Sequence, residues 1–102
     1  MVVFDELYDA HRARLATLET EEDQLKEKYR NRLNDLDEWK YEILKLYGKE
    51  GIPISNSEAL KYIEQLCDET ERIYRNNQQI IVEAKEKEMQ SFKNQIDEER
   101  GR

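Results

Sequence analysis

One histidine and one cysteine stand in this chain of 102 residues, among 24 carboxylates. A histidine, a thiol and paired carboxylates are the groups from which acid-base, nucleophilic and metal chemistry are built. Their spacing here supports none of these. A di-metal helical bundle uses Glu-x-x-His pairs on two helices, whereas His11 is preceded three positions earlier by Tyr8 and has no second histidine to join it. Cys67 is flanked by Asp68 and Glu69 rather than by the cations or histidine that activate a thiolate. A lone cysteine also makes no internal disulfide, and beside Leu66 it reads as a small buried hydrophobe. The carboxylates lie on exposed polar stretches without the apolar enclosure that sets an acid apart from a base. Gly48 and Gly51 have no following Gly-Lys-Ser/Thr, so a phosphate-cradling loop is absent as well. The chain is therefore expected to be no enzyme and to hold no metal or cofactor.

The elements that would carry these residues are marked by the breakers. The single proline, Pro53, lies in the stretch Gly48 to Ser57, and neither glycine nor proline occurs from Met1 to Tyr47 or from Glu58 to Arg100. Two uninterrupted segments of similar length around one central turn predict an all-α fold, an antiparallel two-helix hairpin in a single domain. The predicted helices cover residues about 4–47 and about 57–98, with the turn at about 48–56. Gly48 is placed just past the first helix, with Lys45 in its last turn. For the second helix two caps fit: Ser55, with Glu58 three residues on and Ile54 as a hydrophobic staple, or Ser57.

Within both segments apolar residues recur by threes and fours. The first runs through Phe4, Leu7, Leu15, Leu18, Leu25, Tyr29, Leu33, Leu36, Trp39, Ile43 and Leu46 with Tyr47. The second runs through Leu60, Ile63, Leu66 with Cys67, Ile73 with Tyr74, Ile80 with Ile81, Ala84, Met89, Phe92 and Ile96. His11 and Glu22 interrupt the first stripe, Thr70 and Asn77 the second. Asn77 reads either as a buried asparagine that fixes register or as a hydrated residue at the stripe edge. Charged residues make up 40% of the chain, so one thin seam is all that a lone hairpin can bury. The second stripe widens between Ile73 and Val82, which suits a helix with two neighbours, so a second hairpin is expected to complete a bundle, as a homodimer or with a partner.

Charge narrows the partner class. The net charge of -7, with basic residues interleaved among acidic ones, excludes a nucleic-acid footprint. No apolar run approaches the roughly 20 residues that span a bilayer, and Met-Val-Val-Phe-Asp-Glu has no cleaved-signal pattern. A soluble, cytoplasmic protein without membrane insertion is the expectation. What remains is an interaction protein whose anchors are aromatic and aliphatic residues: Trp39, Tyr41, Tyr47, Tyr62, Ile73, Tyr74, Ile80 and Ile81. For Trp39 and Tyr74 the competing reading is that they fill the bundle core.

About one hundred residues, two long helices and a central Leu46-Tyr47-Gly48 where Trp-x-Gly would stand resemble the WXG family of type VII secretion proteins. Trp39 has Tyr41 in the glycine position, and the positions four beyond Tyr62, Tyr74 and Phe92 are Leu66, Gln78 and Ile96 rather than an acidic residue, so the Tyr-x-x-x-Asp/Glu export signal is missing. In this the chain is more similar to the small helical proteins associated with LXG toxins of type VIIb systems. The resemblance implies a targeting partner or chaperone that binds the helical N-terminal domain of such a toxin, alongside a second small helical protein, and that leaves the cell with its cargo. The alternatives are a cytoplasmic coiled-coil adaptor or homo-oligomeric scaffold, and a holdase-like chaperone of the prefoldin or flagellar kind.

Overall fold

The computed structural model describes residues 2–51, 53 and 57–101. Among them are two α-helices and no strand: α1, Val2–Glu50, and α2, Glu58–Arg100, which pair as a helical hairpin. α1 outruns its predicted bounds at both ends, while α2 begins one residue inside its predicted start and runs two past its predicted end.

The difference at the end of α1 has a clear cause. Gly48 is helical, and a Cβ placed on it would meet nothing within 4 Å. A single helical glycine costs only about 1 kcal/mol relative to alanine, which neighbouring turns absorb. Gly51 instead has φ of 66°, the left-handed conformation that closes helices at the residue after the C-cap. The stop expected at Gly48 is therefore corrected to Gly51, and Gly48 lies inside α1 rather than in the turn.

Of the two candidate caps for α2, Ser57 is the one the structure describes. The Leu60 N–H donates to Ser57 Oγ at 2.9 Å, and the Lys61 N–H donates to the Ser57 carbonyl at 3.3 Å. Ser57 is only 1% exposed, a burial that its two accepted hydrogen bonds make affordable. Ser55 and the Ile54 staple lie outside the described residues.

The chain divides into two compact units, each built from one stretch of either helix. In Lys26–Asn76 the seam is apolar and aromatic. Leu36 is fully buried and Ile63 nearly so, while the rings of Tyr29 and Tyr74 stack at 4.2 Å with 11° between their planes. Thr70 stays on this seam because its hydroxyl donates to the Leu66 carbonyl at 2.7 Å. Cys67 is half-buried beside it.

In the other unit, Met1–Leu25 with Asn77–Arg102, Ile81 is buried and aromatic packing joins Tyr8 to Phe92 edge-on at 5.9 Å. Much of that seam is polar. Ion pairs and a histidine stand where the other unit has aliphatic side chains, and Asn77 is exposed, as its hydrated reading requires.

The two glycines give a direct check on where α1 ends. Gly48→Ala should stabilise the protein by roughly 0.5–1 kcal/mol, because alanine fits the helical backbone and restricts the unfolded chain. Gly51→Ala should destabilise it by about 1–2 kcal/mol, because a Cβ is strained at positive φ. Urea denaturation of both variants measures the two signs; a reversal would return the helix end to Gly48.

Candidate interaction surface

Partial burial of charge is the first feature to explain in the unit that holds His11. Steps of three and four from Ile81 lead to Lys85, Glu88 and Phe92, so Glu88 takes the seam position and Met89 turns outward, 60% exposed. This corrects the expectation that Met89 lies on the stripe. Glu88 can be there because both its oxygens are paired: Oε1 is 3.0 Å from His11 Nδ1, and Oε2 accepts from Arg14 Nε at 2.7 Å. The His11 ring in turn stacks on Phe92 at 4.1 Å with 9° between planes. Burial pushes the Glu88 carboxyl up, but the hydrogen bonds from His11 and Arg14 and the attraction of their charges outweigh it and hold the group below its ordinary value of 4.5. Glu22, the other polar residue on the first stripe, faces Lys85 at 3.4 Å.

This cluster pairs charge without preparing it for chemistry. Each carboxylate oxygen of Glu88 is occupied, and the histidine lies flat against a phenyl ring. Among the described residues no group of three or more His, Cys, Asp or Glu side chains is placed to hold a metal ion. A shallow depression of about 380 Å³ is lined by Asp37, Glu38, Trp39, Tyr41 and Glu42. All five come from one stretch of α1, so among the described residues no second element closes over it.

The other feature is apolar surface left in water. Of the eight anchor candidates, Tyr74 and Ile81 spend their surface inside the hairpin, and Tyr47 is half-buried. Trp39, Tyr41, Tyr62, Ile73 and Ile80 remain exposed, at 46%, 65%, 61%, 54% and 63%. Trp39 does not fill the core; the Arg32 guanidinium lies 5.5 Å from its ring centre, a cation-π contact on the outer surface.

Their positions are ordered. Within Lys26–Asn76, Tyr62, half-buried Leu66 and Ile73 each precede a seam residue, Ile63, Cys67 or Tyr74, by one place. Trp39 and Leu46 each follow a seam residue, Leu36 or Ile43, by three. At about 100° per residue both offsets turn in the same sense, and in antiparallel right-handed helices the same sense means the same face. The five side chains thus form one apolar face of that unit, and Tyr41 lies off it. In its own unit Ile80 precedes buried Ile81 in the same way.

No helix among the described residues is long and apolar enough to cross a membrane. Comparison of the chain with family models, with curated proteins and with solved structures returns no match. The functional reading therefore rests on the residues themselves.

Glu88 gives the seam of its own unit a pH dependence. Its folded pKa is depressed, so its contribution is present above about 4.5 and is lost as pH falls through the lower folded value. Glu88→Gln should lower stability at pH 7 by about 1–2 kcal/mol and flatten the loss of stability below pH about 4.5 relative to the parent. Urea midpoints at several pH values report both effects. Parallel acid curves for the two proteins would show that the His11, Glu88 and Arg14 cluster holds nothing.

Proposed function

We propose that this chain is a non-enzymatic helical binding protein that takes a helical segment of a partner protein against the apolar flank of its second helix. The observation that carries the reading is the alignment of Tyr62 and Ile73 on one face, both more than half exposed, beside Trp39 and Leu46. Isolated exposed hydrophobes are ordinary on any surface. A row spaced by helical turns is what an amphipathic helix needs to dock, since its own anchors recur at the same spacing. Tyrosine and tryptophan add to this, because they bring large contact area at low entropy cost and dominate binding hot spots.

The partner we propose is the helical N-terminal domain of an LXG-type toxin of a type VIIb secretion system, with this chain as its targeting partner or chaperone. Support for that choice is the layout of two helices about one central connection, with Leu46-Tyr47-Gly48 near its end and no Tyr-x-x-x-Asp/Glu signal after Tyr62, Tyr74 or Phe92. A protein of this kind would be made in the cytoplasm and leave it only with its cargo.

Binding and folding separate cleanly by mutation. Tyr62→Ala should weaken capture of the toxin domain in a pull-down by roughly 2 kcal/mol or more while leaving helicity unchanged. Leu36→Ala should instead lower stability by roughly 2–5 kcal/mol, because Leu36 is wholly buried. Capture that is indifferent to Tyr62, Ile73 and Trp39 substitutions would remove the docking face from the account.

A further inference from the structure

We infer that the helix received by the apolar face of the Lys26–Asn76 unit carries an arginine or lysine among its apolar anchors, set to meet Glu69 of α2 and Asp35 of α1. The inference rests on the docking reading and adds to it the chemistry of the partner. Spacing on α2 is the first argument. Ala59, Tyr62, Leu66, Glu69, Ile73 and Asn76 follow one another by alternating steps of three and four, and all but half-buried Leu66 are exposed. That alternation is the repeat by which one helix packs along another, with every member of the row in the contact. Ala59, Leu66 and Ile73 stand seven apart and are apolar throughout, while Glu69 is the ionised member of the row. A docked helix therefore covers Glu69 together with Tyr62 and Ile73.

Charge is the second argument, and it selects the occupant. A carboxylate covered without a counter-ion is costly, and the chain brings none to Glu69. Among the described residues Glu69 makes no ion pair, not even with Arg72 three places on. α1 adds a second carboxylate instead. Asp35 precedes buried Leu36 by one place, as Tyr62 precedes Ile63, so it shares the face. The stack of Tyr29 on Tyr74 sets the level: Asp35 lies six places on from Tyr29 and Glu69 five places back from Tyr74, side by side in an antiparallel pair. Asp35 is likewise exposed and makes no ion pair among the described residues. Arg32, the cation nearest to it in sequence, has its guanidinium 5.5 Å from the Trp39 ring centre. Two carboxylates between apolar neighbours on one face are complementary to a helix with a cation at that level. The row of a second copy has no basic residue to offer Glu69, so a different protein is the occupant.

Calorimetric titration of the full chain with two synthetic helical peptides of about three heptads tests this. Both peptides carry leucine at their core positions and the same net charge; one has arginine at the central core position and the other glutamate. The parent should bind the arginine peptide about tenfold or more tighter than the glutamate peptide. Glu69→Arg should reverse that order with unchanged circular dichroism. Glu64→Arg makes the same charge change one place after Ile63, off the face, and should leave the order as it was. Equal affinity for the two peptides, a preference that Glu69→Arg leaves intact, or no binding of either up to about 100 µM overturns the inference. Equal affinity that Tyr62→Ala still weakens would end this inference and spare the docking reading; an arginine preference set by Glu69 in a chain that captures no toxin domain would keep the inference and remove that domain as the partner.

Discussion

Two helices in contact can hide only the sides that face each other, and that limit governs the rest of this structure. Among the described residues Leu36, Ile63 and Ile81 are the buried apolar side chains, and Ser57 joins them through its cap. Stability must then come from places that a thicker core would render secondary. These include the cap at Ser57, the stop at Gly51 and the stacked Tyr29 and Tyr74 rings. The same limit leaves Tyr62, Ile73 and Ile80 in water, one place before Ile63, Tyr74 and Ile81. A chain with a sufficient core has no need of such a row, and here it is the surplus from which the binding reading is drawn.

The two units solve the seam differently. In Lys26–Asn76 aliphatic and aromatic side chains fill it, which gives affinity without direction. In the other unit Glu88 lies between His11 and Arg14, and Glu22 faces Lys85. Partly buried pairs of this kind return little net stability, because desolvation consumes most of the attraction. What they give is register. A slip of either helix by one turn would leave the Glu88 carboxylate without its partners, at a cost that an apolar seam would not impose.

Helix identity and pairing were legible because glycine and proline cluster at one place and apolar residues recur by threes and fours on either side. The end of α1 was not, since the left-handed conformation belongs to Gly51 and nothing in the residue types alone separates Gly51 from Gly48. Glu88 was passed over for the same kind of reason. A pattern read from hydrophobicity favours Met89, whereas the spacing back from Phe92 by four gives Glu88, and only the partners His11 and Arg14, 77 and 74 places away in sequence, make that position tenable. Among the anchors, Ile73 and Tyr74 were adjacent and equally apolar. The structure assigns Tyr74 to the interior by its stack with Tyr29 and leaves Ile73 outside, a choice fixed by the partner helix rather than by either residue.

The account's central claim is that the face bearing Trp39, Tyr62 and Ile73 is a contact surface rather than an incidental display of apolar side chains. Hydroxyl-radical footprinting of the intact chain, read residue by residue with and without the proposed toxin-domain partner, addresses it most directly. The account predicts that Trp39, Tyr62 and Ile73 lose reactivity together when the proposed partner is added, while Tyr41, also exposed at the outset, keeps its reactivity throughout. Reactivity at Trp39, Tyr62 and Ile73 that never departs from that of Tyr41 would contradict it.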